Sequence, residues 1–255
     1  MSALQRVLAA ISMLVVALIP ETPARAANFT VFPISISLDR KVHSQTLTLH
    51  NESSDPIRFQ LSAFAWDQLP DGQMMLKPTD DVVFFPQLLT IRAGEDRKVR
   101  VGLTAAPATT EKTYRLFVEE LAPEERPQHA DTPQVLVLTK MGIPIFLEPI
   151  LPVPNGAIDS MQMDGGKFSF ALKNSGNVHF SIDKVRVSGW TGDSTVFSRE
   201  ATGWYVLAGE KRIFELPIPN SDCQRIERIQ VDARTDKSNY EAVFAIPANA
   251  CRSAD

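Results

Sequence analysis

The 255-residue sequence predicts an all-β protein made of two β-sandwich domains. Apolar residues alternate over many short segments, which is the period of a strand with one buried face, and clusters of turn-forming residues separate these segments. No long segment has a convincing helical period. The segments fall into two blocks of roughly a hundred residues each, an arrangement typical of two immunoglobulin-like sandwiches.

The first 26 residues predict an export signal. Arg6 precedes the apolar run Val7–Ile19, which is too short to span a bilayer, and Ala24–Ala26 has the small residues of a signal-peptidase site. We expect export to remove residues 1–26 and to leave domains at 27–150 and 151–255. No second long apolar run follows, so the exported protein is not expected to be embedded in a membrane.

The first block begins its strands at Phe29. Alternation over Thr46–His50 and Ile57–Trp66 is interrupted by the turn formers of Asn51–Pro56, and Asp71–Gly72 predicts a tight hairpin. Four further strands are predicted after this hairpin, at Val82–Phe85, Leu88–Ile91, Lys98–Leu103 and Thr113–Leu121.

The apolar stretch 134–147 predicts the strand around which the first domain is organised. A period of two gives it two rows, one of Leu136, Leu138 and Lys140 and one of Val135 and Val137. One interpretation is a central sandwich strand whose lysine reaches water at its end. The other is a strand that receives a binding partner, with the leucines facing the partner and the valines packed in the domain core.

Proline-rich segments flank this stretch. The segment 122–133 contains Pro123, Pro127 and Pro133 among charged and small residues, which predicts a mobile loop. Glu148–Gly156 holds prolines at 149, 152 and 154, which predicts a stiff connector, and we place the domain boundary there.

The second block repeats the alternating pattern. Strands are predicted at Lys167–Leu172, Phe180–Val187, Trp204–Leu207, Arg212–Leu216, Ile226–Val231 and Tyr240–Ile246. Both cysteines, Cys223 and Cys251, lie near the end of the chain. In an oxidising compartment the simplest expectation is one disulfide between them, and a metal site is the weaker alternative because no histidine lies nearby.

The sequence contains no recognisable catalytic cluster, so neither an enzyme nor a cofactor is expected. Its histidines are scattered over the chain, at His43, His50, His129 and His179. Ser181–Lys184 has the Ser-x-x-Lys form, but it lies in a predicted strand without the companion motifs that a penicillin-binding site needs. A hydrolase with an unrecognised site remains an alternative.

Charge argues against nucleic acid as a partner. Loss of Arg6, Glu21 and Arg25 with the leader changes the net charge from −4 to −5, and no basic cluster remains. Two lone cations, Arg115 and Lys140, lie on predicted strands. Each by itself is typical of a solvated or ion-paired side chain. Together, near the root of a two-domain cleft, they would hold a carboxylate.

Several segments occur in an order that resembles the PapD-like periplasmic chaperones of pilus and fimbrial subunits. The segments are Leu47–Asn51, Trp66–Gln68, Ile91–Gly94, Val99–Val101, Thr113–Leu121, Lys140–Phe146, Leu172–Asn177 and Tyr205–Gly209. The Tyr-Arg and Ile-Pro-Ile-Phe forms within them resemble the branch that serves spore-coat-U-like and archaic fimbriae.

The resemblance implies two sandwiches in an L or boomerang arrangement and a function without catalysis. Such a periplasmic chaperone donates a β-strand to an incomplete pilin subunit and delivers it to an outer-membrane usher. Two basic residues of the family's cleft anchor the subunit's C-terminal carboxylate. The second falls on Lys140 by motif. The first falls near Ser35, so Arg115 or Arg40 is expected to replace it, unless the client is bound differently. The alternative function is a secreted immunoglobulin-like adhesin or structural subunit.

Overall fold

The computed structural model describes residues 25–26, 28–123, 136–247 and 250–251. The described residues form twenty strands and one short helix, which confirms the all-β prediction. The first-block strands are β1 (Arg25–Ala26), β2 (Phe29–Phe32), β3 (Ile36–Leu38), β4 (Ser44–Asn51), β5 (Ile57–Gln68), β6 (Met74–Pro78), β7 (Val82–Phe85), β8 (Leu88–Ile91), β9 (Asp96–Leu103), β10 (Lys112–Leu121), β11 (Leu136–Val137) and β12 (Lys140–Leu147).

The second block has eight strands and the helix. They are β13 (Gly156–Asp164), β14 (Lys167–Asn174), β15 (Phe180–Thr191), β16 (Ser194–Ala201), β17 (Tyr205–Val206), β18 (Lys211–Pro217), α1 (Asn220–Cys223), β19 (Arg228–Thr235) and β20 (Asn239–Ala245).

The first sandwich packs two sheets around one apolar core. One sheet has the order β2-β4-β9-β7, and the other has the order β3-β12-β10-β5-β6 with β8 also paired to β5. Alternation on β4, β5, β9 and β10 supplies the core, since every second side chain points inward. Its fully buried members include Leu47, Leu49, Phe59, Val99, Val101, Leu116 and Val118.

The second sandwich is built in the same way. A sheet of order β13-β14-β18 faces a sheet of order β16-β15-β19-β20, with β17 also paired to β15. Phe168, Phe170 and Leu172 of β14 pack in a core with Val185 and Val231 of the facing sheet. Cys223 and Cys251 form a disulfide that joins α1 to the last described residues.

Three strands lack an alternating signal in the sequence and were not predicted: β6, β13 and β16. All five residues of β6 are exposed. None of the residues of β13 or β16 is fully buried. Each strand lies at the end of its sheet order. β6 buries neither face, so no period of two is imposed on its sequence. β13 and β16 pack only partly buried residues against the core, among them Ile158, Met163 and Phe197, so their pattern is weak.

The apolar stretch 134–147 is divided into two strands. β12 begins at Lys140 and pairs with β10, whereas β11 contains only Leu136 and Val137 and pairs in parallel with β1. Gln134, Val135, most of the predicted loop 122–133 and residues 1–24 of the predicted leader lie outside the described residues. No helix among the described residues is long and apolar enough to cross a membrane.

Candidate functional site

The first part of the site is a free edge, which we define as Leu136–Pro144. Among the described residues, its first two pair only with β1, whose residues Arg25 and Ala26 belong to the predicted leader. β12 is paired to β10 along its whole length, but on its other side β3 joins only at Ile145. Within the described part of the chain, residues 140–144 therefore have no strand on that side. The side chains of Leu136, Val137 and Leu138 are 54%, 45% and 43% exposed. Exposed apolar side chains beside an open strand edge are what the addition of a foreign strand requires.

The expectation that the valine row packs in the domain core is wrong for Val137, which is as exposed as its leucine neighbours. The reason is the end of β10. Its last pair with β12 is Glu119 with Lys140, and one further hydrogen bond joins the Glu120 N–H to the Thr139 carbonyl at 2.9 Å. Residues before Thr139 have lost this neighbouring strand, so neither of their faces is covered.

The second part of the site is the outer face of β10 and β12. Tyr114, Leu116 and Val118 point into the core, so Arg115, Phe117 and Glu119 point to the other side of the sheet. Opposite these three lie Pro144, Gly142 and Lys140 respectively. Both predicted cations are therefore on one face. They are four register positions apart, roughly 13 Å along the strands.

Arg115 lies where this face meets the second domain, and only 1% of the residue is exposed. Its Cζ is 3.9 Å from the ring centroid of Trp66 in β5 and 4.4 Å from that of Trp204, which precedes β17. The ring of Tyr205 is also within 5.7 Å. A guanidinium held between two indoles is stabilised by cation–π attraction, and here the two indoles come from different domains.

The Arg115 guanidinium is incompletely hydrogen-bonded. Its Nη1 donates to the Gly142 carbonyl at 3.2 Å, but its Nε and Nη2 are buried without a partner, as is Nε1 of Trp66. Burial lowers the pKa of Arg115 to about 10, so the side chain is still charged near neutral pH. No carboxylate of the described residues forms an ion pair with it. A buried charge without a counter-ion is costly, and unpaired buried donors are uncommon.

Lys140 is in the opposite environment. Its side chain is 52% exposed, its Nζ is 2.9 Å from the Glu119 carboxylate, and it lies 4.9 Å from the Phe117 ring centroid. Phe117 lies over Gly142, where an added Cβ would meet the ring at 3.1 Å, so glycine gives this ring its space. The structure therefore does not bring Lys140 and Arg115 together, because the Phe117–Gly142 pair separates them.

Ser35 and Arg115 lie at the same level of the sheet. β3 pairs in parallel with β12 from Ile36 with Ile145, and Ser35 is in the bend directly before this pair. Arg115 is opposite Pro144, the residue directly before Ile145. Arg115 and Pro144 are on the outer face, because Tyr114 and Ile145 point into the core. The resemblance expects an arginine near Ser35, just before β3. Arg115 is at nearly the same height in the sheet but on β10, two strands away from β3. Arg40 is exposed in the bend after β3, and no contact places it on this face.

Hydrogen bonds between the domains surround Arg115. The Gln68 side chain donates to the Tyr205 carbonyl at 2.7 Å and accepts from the Leu207 N–H at 3.2 Å. The Glu111 carboxylate accepts from the His179 N–H at 2.9 Å and lies 2.7 Å from His179 Nδ1. These contacts fix the second domain against the outer face next to the two indoles.

Sequence reasoning found Arg115 and Lys140 but missed the aromatic cage. Trp66 and Tyr205 both lie in segments that carried the family resemblance, which was the available signal. Trp66 and Tyr205 are more than a hundred residues apart, so the sequence does not show that their rings meet around Arg115. Trp204 has no feature in the sequence that distinguishes it from other residues of a predicted strand.

Comparisons with known proteins agree with this fold. Residues 28–151 match the family described as pili and flagellar-assembly chaperone, PapD N-terminal domain. Comparison with curated protein sequences gives no match. A similar solved structure is a chain of the CsuC–CsuE chaperone–tip adhesion subunit pre-assembly complex from archaic chaperone-usher Csu pili of Acinetobacter baumannii. It has 18% identity and a TM-score of 0.59, over 85% of this chain and 98% of that one.

Two further solved structures have the same fold. The Escherichia coli chaperone DraB has 18% identity and a TM-score of 0.54, with coverage of 87% of this chain and 99% of its own. A chain of the Salmonella enterica SafA pilin–SafB chaperone complex has 15% identity and a TM-score of 0.57, with the same coverage. Residues 28–151 belong to the PapD-like pilus chaperone family, and the chain as a whole shares the fold of these solved structures.

Proposed function

We propose that the protein is an exported chaperone that binds pilus or fimbrial subunits by donating a strand from its free edge and delivers them to an outer-membrane usher. The observation that carries this proposal is the free edge itself. Three consecutive apolar residues are about half exposed, and among the described residues no strand lies beside 140–144 on one side. Leu136 and Val137 pair there only with β1 of the leader, which cleavage before Ala27 would remove. An incomplete subunit lacks one strand and exposes an apolar groove. Such subunits aggregate unless a strand from another protein fills the groove.

Export belongs to the same proposal. Cleavage before Ala27 would release the mature protein into the periplasm, where its disulfide is stable and where subunits await assembly. Cell fractionation followed by N-terminal sequencing checks this step. A protein that keeps residues 1–26, or that stays in the cytoplasm, would contradict it.

The register of donation follows from the side chains. Leu136 and Leu138 share a face with Lys140, so one strand can present an apolar plug and a charged anchor to the same client. Val135 and Val137 form the other row of the predicted donor strand. Because Val137 is exposed, we expect an aspartate there to be tolerated by the fold, as it is at Leu136 and Leu138.

The decisive experiment is co-expression of each variant with a cognate subunit, followed by co-purification. Leu136→Asp and Leu138→Asp should leave a folded chaperone that no longer protects the subunit, since a charge would enter an apolar groove. Val137→Asp should retain more complex than either. Val243→Asp is the matched control, because Val243 is 59% exposed on β20 of the second domain.

Normal complex yield from both leucine variants would show that the free edge does not donate a strand. Recovery of the protein in assembled fibres instead of the periplasm would favour the secreted adhesin or structural subunit.

The proposal gives each cation its own part in binding the subunit's carboxylate, because the two are roughly 13 Å apart along the strands. Among the described residues Lys140 is exposed and ion-paired with Glu119 alone, so an incoming carboxylate can compete for it at the surface. Arg115 retains two unpaired N–H groups and stands at the level of Ser35. Because it is covered by Trp204, a carboxylate reaches it only from between the domains.

A further inference from the structure

A groove of about 610 Å³ crosses the outer face of the larger sheet of the second domain. Val185 of β15 and Val231 of β19 point into the core, so the alternate side chains of these two strands point outward. The groove is lined on β15 by Lys184, Arg186, Ser188 and Trp190 and on β19 by Gln230 and Asp232. Its volume is in the range of small-molecule binding sites, and no residue that lines it belongs to the free edge or to the domain junction.

Two β-bulges stand at the two ends of this groove. Asp183 is the extra residue of β15 in its pairing with β19, and Val196 is the extra residue of β16 in its pairing with β15. A bulge bends its strand and changes the direction of the side chains next to it, and bulges are frequent beside functional sites. Lys184 directly follows the first bulge, and Trp190 pairs beside the second. Both side chains line the groove.

The charges at the end of the groove near Lys184 balance one another. Lys184 Nζ and Arg186 Nη2 contact the Glu200 carboxylate at 2.8 Å and 2.9 Å. The carboxylates of Asp232 and Glu241 are opposite each other on β19 and β20 and also line the groove. A ligand with a net charge of either sign would therefore meet groups of its own sign. Hydroxyl groups would meet acceptors, since an ionised carboxylate accepts hydrogen bonds.

The end of the groove near Trp190 is uncharged and amphipathic. The hydroxyl groups of Ser188 and Ser198 are 3.2 Å apart, so they share one hydrogen bond and keep further capacity to accept. The Trp190 indole is held from one side by Arg228, whose Cζ is 5.5 Å from its ring centroid. Its Nε1 is buried and has no hydrogen-bond partner among the described residues. This end thus has a fixed aromatic ring, hydroxyl groups and an unpaired donor.

An aromatic ring beside hydroxyl, amide and carboxylate groups is suited to a sugar. A pyranose has an apolar face of C–H groups that packs on an indole, and hydroxyl groups at its rim that both donate and accept. A wholly apolar ligand would instead leave the polar lining unpaired. A peptide added as a strand would need the edge of a sheet, whereas this groove lies on a face. Trp190 and Arg186 are four residues apart, roughly 13 Å along the strand, which is longer than one sugar ring.

We infer that this groove of the second domain binds a neutral oligosaccharide, with Trp190 as the stacking platform and Ser188, Gln230 and Asp232 as hydrogen-bonding groups. The inference goes beyond the proposed function, which uses the free edge and the domain junction. Because the two sites share no residue, the protein can hold a glycan and a subunit at the same time. The second domain would then tether the chaperone to a glycan while the first domain carries its client.

Titration calorimetry of the purified mature protein tests this inference without a subunit. The neutral probes are a β-1,4-linked tetrasaccharide of N-acetylglucosamine and one of glucose, and the acidic probe is a tetrasaccharide of galacturonic acid. We expect saturable binding of at least one neutral probe and binding of the acidic probe that is weaker by about ten-fold or more. Tighter binding of the N-acetylated probe would identify an amide carbonyl as the acceptor for the Trp190 N–H. The corresponding monosaccharide should bind much more weakly, because it fills only part of the groove.

Three variants separate the parts of the groove. Trp190→Ala removes the platform and should weaken binding of the neutral probe by about ten-fold or more. Trp190→Phe keeps an aromatic ring but removes the N–H, and Gln230→Ala removes an amide, so each should weaken binding by several-fold. Gln162→Ala is the matched control for Gln230→Ala, because Gln162 is exposed on β13 in the other sheet of the same domain. Thermal unfolding shows whether each variant is folded.

Absence of saturable binding with both neutral probes would overturn the inference, and so would tighter binding of the acidic probe. Unchanged affinity in both Trp190→Phe and Gln230→Ala would also overturn it, and these two variants decide the matter if Trp190→Ala does not fold. Co-purification of a subunit with Trp190→Phe should be unchanged. Failure here leaves strand donation standing, because the Leu136 and Leu138 variants test it separately.

Discussion

Lys140 and Arg115 carry the same charge on one sheet face, but burial gives them different roles. Lys140 is half exposed and its ion pair with Glu119 is screened by water, so that pair contributes little to stability. Arg115 is enclosed by aromatic rings, and no carboxylate in the described part of the chain forms an ion pair with it. A client carboxylate would meet Lys140 first and Arg115 only after it enters the domain junction.

Replacement of Lys140 by alanine should reduce complex yield with little effect on folding. A charge-assisted contact to a sheltered carboxylate is worth about 1.5–3 kcal/mol, which corresponds to a loss of affinity of roughly ten-fold or more. Lys167→Ala is the matched control, because Lys167 is also 52% exposed and is 3.1 Å from Glu215 on a neighbouring strand. Co-purification with the subunit measures the difference. Equal yields from the two variants would exclude an anchoring role for Lys140.

Tyr114 provides a pH prediction for the first domain. Burial, and then its hydrogen bond to the Asp81 carboxylate at 2.7 Å, raise the pKa of its phenol above the ordinary value. The unfolded chain releases this proton near pH 10, whereas the folded chain keeps it to higher pH. The stabilisation is therefore present below about pH 10 and is lost as the pH rises further.

Tyr114→Phe should flatten the loss of stability on the alkaline side by up to about 1.4 kcal/mol per pH unit, the value for one proton. At neutral pH the variant should be less stable by about 1 kcal/mol, since a buried hydrogen bond is lost. Urea unfolding of both proteins between pH 8 and pH 11 gives the comparison. Parallel curves over this range would contradict the prediction.

At the scale of elements, the free edge depends on three strands that stop at different points. β10 ends at Leu121, β3 begins only at Ile36, and the segment before β12 continues past both to Leu136. The result is a strand that is anchored by Ile143–Leu147 in the core and open at its N-terminal end. Rigid support next to an open edge limits the ordering cost of receiving a partner strand.

The disulfide joins the C-terminal part of the chain to the core of the second domain. Cys223 is buried beside the core, and Cys251 packs against the same cluster from 28 residues further along the chain. The double replacement Cys223→Ser with Cys251→Ser should destabilise this domain by about 3–4 kcal/mol on the chain-entropy model. Thermal unfolding with and without reductant checks it. A wild-type protein whose melting is insensitive to reductant would contradict the prediction.

At the scale of the whole molecule, a few polar contacts determine how the two sandwiches sit together. Gln68 at the end of β5 bonds two backbone groups of the second domain, and Glu111 is paired with His179, whose ring stacks 3.6 Å from that of Phe146. With the Arg115 cage, these contacts lie around one junction. The side chains that set the orientation of the two domains are therefore also the ones that surround Arg115.

Gln68→Ala should loosen the junction without unfolding either domain. Two interdomain hydrogen bonds are lost, each with a net value of about 1 kcal/mol, and the Leu207 N–H is left buried at the interface without its acceptor. Small-angle scattering should show a larger radius of gyration, and proteolysis of the connector 148–156 should be faster. Gln60→Ala is the control, because Gln60 is exposed on the same strand. An unchanged radius would show that the other contacts suffice.

The sequence by itself determined the strands that bury one face, and with them the fold. The core requires an apolar residue at every second position of these strands, as at Phe59 and Leu61 or at Val99 and Val101. This alternation can therefore be recognised in the sequence alone. The same period assigned Arg115 to the face opposite Tyr114. Edge strands such as β6 bury neither face, and they left no such signal.

Only the tertiary structure decided what covers each face. A period of two states which side chains share a side of a sheet, but not whether water, a second domain or nothing lies over them. Arg115 is buried because Trp204 and Tyr205 of the other domain lie on it, and Val137 is exposed because β10 ends before it. Ser35 and Arg115 share a level only through the pairing of β3, β12 and β10. Burial and strand pairing depend on contacts between segments that are distant in the sequence. A local pattern of residues therefore cannot predict them.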